Sequence, residues 1–198
     1  GAMRRAAPAA RGLWFASHSL SRLEERLVAP HPDLDQHSLE TVTVHASAIA
    51  AGGRAALIRG PSGAGKSDLA LRCIALAPTP LLPQQASLVS DDQTVITRRE
   101  GKLYASAPAR IAGLLEARGI GIVRVNDTAG LPVPLALVVD LVPSAEAADS
   151  QPDRLPDPWP VVPILGVELP LLRLKIHEAS APIRLLLALG CHALPATG

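Results

Sequence analysis

Apolar and polar residues alternate from Thr41 to Ala48. Val42, Val44, Ala46 and Ala48 share one face and Thr41, Thr43, His45 and Ser47 the other, which predicts a strand. Ala51-Gly52-Gly53 then turns the chain into Ala55–Arg59, a second strand expected to pair antiparallel with the first. Asp68–Leu76 reads as a helix. Pro78, Pro80 and Pro83 mark a connection, and Ser87–Ser90 is a short strand ending in Asp91-Asp92. Thr94–Arg98 and Lys102–Ala105 form a hairpin around Glu100-Gly101. Pro108 suits the first position of a helix over 109–115. That helix runs into Glu116–Val123, whose alternating glycines allow close backbone approach. Leu135–Leu141 is apolar enough for a central strand. Residues 143–160, rich in Pro, Asp, Ser and Ala, form a long loop expected to be poorly ordered without partner or nucleotide. Val161–Ile176 reads as one or two proline-interrupted strands. Ser180 caps a last helix, with Pro182 near its start and Gly190 closing it. Ahead of all this, Leu13, Phe15, Leu20, Leu23 and Leu27 make a loosely helical stripe that Pro30 and Pro32 end.

One stretch carries chemistry by itself. Gly60-Pro61-Ser62-Gly63-Ala64-Gly65-Lys66-Ser67 fits the P-loop pattern at every constrained position, between a predicted strand and a predicted helix. Glycines let successive backbone N–H groups converge on an anion, and the following helix adds the positive end of its dipole. Lys66 then reaches the terminal phosphates of a nucleotide, and the Ser67 hydroxyl ligates Mg²⁺. A hairpin feeding such a loop, in place of a crossover helix, points to a mixed sheet and away from the all-parallel sheets that usually carry this motif.

Composition narrows the classes. The chain has 198 residues and a net charge of +1, which gives no footprint for nucleic acid or for a membrane surface. No apolar run reaches the length needed to cross a bilayer, so a cytoplasmic protein is expected. With two Trp, one Tyr and one Phe, the core must be built from Leu, Val, Ile and Ala. Cys73 and Cys191 match no metal or disulfide spacing and are expected to be reduced, buried thiols. Gly1-Ala2 ahead of Met3 is expected to be a remnant of a cleaved tag.

Asp91 and Asp92, adjacent at a strand end soon after the P-loop, have a plausible task near metal and γ-phosphate; an acidic turn is the plain alternative. Glu116 and Arg118 could be an ion pair at a helix end, and His45 a solvent-facing strand histidine. Taken together, His45, the P-loop, Asp91-Asp92 and the run Leu115-Glu116-Ala117-Arg118-Gly119-Ile120-Gly121-Ile122 resemble the HPr kinase/phosphorylase family, over the C-terminal catalytic domain and about residues 39–190. The resemblance implies an α/β fold: a P-loop-containing mixed β-sheet flanked by helices, related to phosphoenolpyruvate carboxykinase. Residues 1–38 would be an N-terminal extension standing where longer members have another domain, and 39–198 the catalytic domain. It implies ATP and Mg²⁺, a homo-oligomer (a hexamer in the family), and transfer of phosphate to a serine of HPr, the carrier protein of the phosphotransferase system. A second implied activity is attack of inorganic phosphate on phosphoserine. Residue by residue, it gives Lys66 and the Gly60–Ser67 loop to the phosphates, Ser67 and Glu116 to Mg²⁺, and Asp92 to the substrate's proton, with Asp91 beside it. His45 becomes an active-site histidine, Arg154 the arginine of the long loop, and Arg118 a partner of Glu116 or of phosphate. Ile176-His177-Glu178-Ala179-Ser180 departs from the family's Pro-Gly-Arg-Asn-like element, which is linked to dephosphorylation; the kinase direction is therefore expected first.

Three functions follow from these residues. The first is a protein serine kinase acting on HPr. The second is a nucleotide-sensing regulatory module that binds a partner without efficient catalysis. The third is a kinase acting on a small molecule or another protein, which the fold alone permits.

Overall fold

The computed structural model describes residues 39–125, 129–130, 132–142 and 158–191. The predicted helix over 13–27, Arg154, most of the 143–160 loop and the Cys191 side chain lie outside them.

Strands β1 (Glu40–Val44), β2 (Ser47–Ala51) and β3 (Arg54–Arg59) open the fold, and β3 runs through the glycine loop into α1 (Lys66–Ala75). Then come β4 (Ser87–Ser90), β5 (Thr94–Arg99), β6 (Lys102–Ser106), β7 (Leu114–Ala117), β8 (Gly121–Arg124) and β9 (Val133–Val142). The described residues end in β10 (Val161–Ile164), β11 (Val167–Lys175) and α2 (Ala181–Cys191). Among the described residues, nine strands form one mixed sheet in the order β1-β5-β6-β9-β3-β2-β4, with β11 also paired to β9 and β10 to β11; β7 and β8 form a separate hairpin.

The expected β2–β3 hairpin is present. Ala51 pairs with Arg54 across Gly52 and Gly53, at φ 58 and 74. Two successive positive φ values give the tight turn whose twist suits a hairpin, and glycine reaches them without strain. The predicted central strand is β9, parallel to both β3 and β11. Because β2, β3 and β9 are covered on both faces, they read as nearly continuous apolar runs. On one face Ile58, Leu137, Val139 and Leu174 pack against Leu69 and Cys73 of α1 and Leu185 and Leu189 of α2. On the other, Leu57 and Val138 meet Ile96 and Leu103 of the β5–β6 arm and Leu169 of β11. The core is aliphatic, as composition requires.

Four expectations are corrected. The strand over 41–48 is two strands broken at His45-Ala46: β1 pairs with β5, while β2 pairs with β3 and β4. Alternation reports which residues share a face, not which neighbour each half pairs with. The helix over 109–115 is only a 3-10 turn over Ala109–Ile111; Gly113, at φ 73, breaks it, and Leu114–Ala117 enters β7. Glu116 and Arg118 therefore sit on a hairpin and not at a helix end. Gly119 and Gly121 allow positive φ (83 and 121) and not close approach, since a Cβ at either would meet nothing within 4 Å. Gly190 lies inside α2, which continues to Cys191.

Cys73 is fully buried on α1, with its Sγ 3.9 Å from the Pro182 carbonyl of α2. Burial pushes its pKa up from the ordinary 9.0 to about 12, with Arg72 pulling weakly the other way. The thiol should therefore resist iodoacetamide at pH 8 in the folded protein and react in denaturant, as read by mass spectrometry of the Cys73 peptide. A raised folded-state pKa contributes stability that is complete below pH 9.0 and fades as pH climbs toward about 12.

Candidate active site

The parallel strands β3, β9 and β11 finish at one edge of the sheet, where open α/β sheets place their ligands. Register puts Arg59 opposite Asp140, and Lys175 opposite Val142. β4 and the start of β2 reach the same edge, since Ser47 pairs with Ile58 and Ala48 with Ser90. Read across the sheet, that edge presents Ile176 after β11, Val142 on β9, Gly60 after β3, Ser47 on β2 and Asp91 after β4. A cleft of about 1090 Å³ lies over it, lined by the glycine loop together with His45, Asp92, Glu116, Arg118, Ile176 and His177 among others.

The loop has the backbone of an anion cradle. Gly63 and Gly65 take φ 79 and 92, and Gly65 sits as the left-handed residue just ahead of α1. A Cβ on Gly65 would fall 2.7 Å from Ile176 Cγ1, so glycine is required there by conformation and by space together. Lys66 is buried, and its Nζ donates to the carbonyls of Gly60 and Pro61 at 3.0 and 3.1 Å. Behind the loop, Arg59 and Asp140 make a two-pronged ion pair at 2.8 and 2.9 Å that joins the ends of β3 and β9.

Asp91 is the hub of the site. It is 4% exposed and accepts three hydrogen bonds: from Ser47 Oγ at 2.6 Å, Ser67 Oγ at 2.8 Å and the Glu116 backbone N–H at 3.0 Å. A buried carboxylate is tolerable only when its lone pairs are satisfied in this way. The plain reading of Asp91-Asp92 as a solvated acidic turn therefore fails for Asp91. Asp92 differs: it is exposed, its φ is 65, and the Gln93 N–H closes a tight turn over it onto the Asp91 carbonyl at 2.7 Å. A non-glycine residue at positive φ costs free energy and tends to mark functional positions. That backbone turns the Asp92 carboxylate to His45, whose Nδ1 is 3.2 Å from its Oδ1. The break between β1 and β2 is what puts His45 there.

The arrangement fits a phosphate-bound divalent cation. Ser67, Asp91 and the exposed Glu116 offer only oxygen, the donor type that Mg²⁺ takes. No group of three His, Cys, Asp or Glu among the described residues could hold an ion by itself. Of the site residues expected from sequence, His45, Asp92, Glu116, Arg118 and Pro61–Ser67 line one cleft, with Asp91 beneath and Gly60 behind the lining. The sequence does not place Ser47 in the site, and it marks Ile176 and His177 only as a departure from the family's element. Ser47 looked like any polar strand position, and nothing local says that Ile176 closes on Gly65.

This fold and this site define a P-loop protein with a mixed sheet and paired aspartates. The family model of the HPr Serine kinase C-terminal domain matches residues 36–188, and the chain belongs to that family. The HPr kinase/phosphorylase of Caldanaerobacter subterraneus subsp. tengcongensis is 33% identical over 148 residues, covering 73% of this chain and 46% of the relative. That of Geobacillus thermodenitrificans is 34% identical over 150 residues, covering 73% and 45%. The chain thus spans about half the length of the curated relatives it matches. Among solved structures, the Hpr(Ser) kinase/phosphatase from Coxiella burnetii superposes with a TM-score of 0.64 at 24% identity, covering 79% of this chain and 99% of that one. This last likeness supports the fold.

Ser47→Ala should lower the unfolding free energy by about 1.5–3 kcal/mol, the worth of a hydrogen bond to a charged acceptor. Urea denaturation measures it; an unchanged midpoint would show that Ser47 does not hold Asp91.

Proposed function

We propose that this chain is an ATP- and Mg²⁺-dependent protein serine kinase whose substrate is an HPr-like phosphocarrier, with residues 39–198 as its catalytic domain. Family membership supports phosphotransfer chemistry. The observation that carries the reading is Asp92: an exposed carboxylate held by His45 in the same cleft as the glycine loop and Glu116.

A serine hydroxyl is a poor nucleophile at neutral pH, so a carboxylate must accept its proton as its oxygen bonds to phosphorus. Asp92 takes that proton while the bond from the γ-phosphorus to the bridging oxygen breaks and ADP leaves. His45 keeps the Asp92 carboxylate pointed into the cleft. Lys66 and the backbone N–H groups of the Gly60–Ser67 loop other than Pro61 hold the phosphates. Ser67 and Glu116 would hold Mg²⁺, which supplies positive charge against the developing charge of the phosphoryl group. Asp91 fixes Ser67 and the Glu116 backbone, so both arrive already placed. Arg118, at the hairpin turn, adds positive charge around the transferred group, and the family resemblance gives Arg154 the same task. Phosphorolysis of phosphoserine would use the same groups, with Asp92 returning the proton to the departing serine. The reading extends to a cytoplasmic homo-oligomer, a hexamer as in the family.

Asp92→Asn should leave ATP affinity within about twofold of the parent and cut phosphoserine formation on HPr by at least about a hundredfold, the usual worth of a general base. Mass spectrometry of HPr after exposure to the protein with Mg-ATP reads the transfer, and calorimetry the affinity. Tight ATP binding by the parent with no phosphoserine would instead favour a nucleotide-sensing module.

A further inference from the structure

The glycine loop and Glu116 account for less than half of the cleft's lining, and the flank on the β11 side is unlike them. On the β11 side of Gly60 the surface is aliphatic: Leu141 and Val142 end β9, and Ile176 follows β11, with His177 beside it. Arg72 of α1 fixes this flank. Its guanidinium donates to the Ile176 carbonyl at 2.9 Å, to that of Glu178 at 3.1 Å and to that of Ala179 at 3.2 Å. Three bonds to carbonyls of Ile176, Glu178 and Ala179 hold the turn between β11 and α2 against the helix that starts at the cradle. The Ile176 side chain fills the space a Gly65 Cβ would need.

The sheet order assigns the two flanks to opposite ends of a ligand. From β11 to β4 is four strand spacings, roughly 19 Å at about 4.8 Å each, with β3 and its glycine loop in the middle. Ser67 is hydrogen-bonded to Asp91, and Glu116 rides on the same carboxylate, so the cation and the terminal phosphate belong on the β4 flank. A nucleotide anchored at the middle by its phosphates has only the β11 flank left for its other end. That flank has the right character, because ligand sites pair apolar surface with a few polar groups.

We infer that Val142, Ile176 and His177 form the nucleoside subsite, and that Arg72 is the residue that positions it. The base lies on the aliphatic surface of Val142 and Ile176, and the His177 imidazole meets its edge or the ribose hydroxyls. Nucleoside recognition is thereby separated from phosphate recognition by residues on different strands. The inference rests on the nucleotide-binding reading above, and the following experiment tells the two apart.

Calorimetric titration of the full chain, with Mg²⁺ present, compares ATP with inorganic tripolyphosphate. The parent should bind ATP at least about tenfold more tightly than tripolyphosphate. His177→Ala, an exposed position, should weaken ATP by about five- to tenfold and leave tripolyphosphate within twofold. Arg72→Met should show the same pattern, because it frees the turn without touching the loop. Ile120→Ser, on the opposite flank, should change neither. Equal affinity of the parent for both ligands overturns the subsite while leaving the cradle intact. A selective loss of ATP in Ile120→Ser, or an equal or absent effect on both ligands in His177→Ala, overturns it as well. Failure of the parent to bind either ligand overturns the nucleotide reading itself.

Discussion

The structure hangs on the Asp91 carboxylate. One buried group collects a hydroxyl from β2, a hydroxyl from the first turn of α1 and a backbone N–H from β7. Each donor comes from a different element, so the hydrogen bonds set the relative placement of the strand beneath the cradle, the helix above it and the hairpin beside it. A neutral residue of similar size would pack there, but it would lose the charge that makes these bonds roughly twice as strong as neutral ones. A buried carboxylate beside the hydroxyls of Ser47 and Ser67 also offers the oxygen-rich surroundings that suit a hard divalent cation.

The two neighbouring aspartates show how one backbone step separates roles. Asp91 still follows the strand and points into the protein. Asp92, turned over into the left-handed region, points out at His45 and the cleft. Two identical residues thus occupy environments of opposite character, one serving architecture and the other open to a reacting partner. The backbone strain at Asp92 is offset by the hydrogen-bonded network on its buried neighbour.

Much of this was legible in the sequence, because the informative signals are local. The glycine loop announces itself by spacing, Gly52-Gly53 by the turn it must make, and β9 by an unbroken apolar run. The paired aspartates could be placed at a strand end but not told apart, since their difference lies in a single φ angle. Leu114–Ala117 misled because Leu-Leu-Glu-Ala favours helix; only pairing with Gly121–Arg124, a tertiary event, makes it a strand. The break at His45 was hidden for a similar reason: both halves keep the alternation, and the partner changes between them. Ser47 joins the site from β2, and Ile176 and His177 from the turn after β11; far apart in sequence, they carry no local sign that they meet there.

The Gly52-Gly53 hairpin bears on the order in which the molecule assembles. β2, β3, α1 and β4 all lie within Ser47–Ser90, and the short loops between them make closure cheap in entropy. The phosphate cradle and the strand leading to its acidic hub are therefore chain-local partners. β9 and β11, which supply the far flank and the other half of the core, must be recruited across long stretches of sequence. Contacts of low sequence separation form fastest. The frame of the cradle can thus take shape early in folding, before the surface beside it is complete.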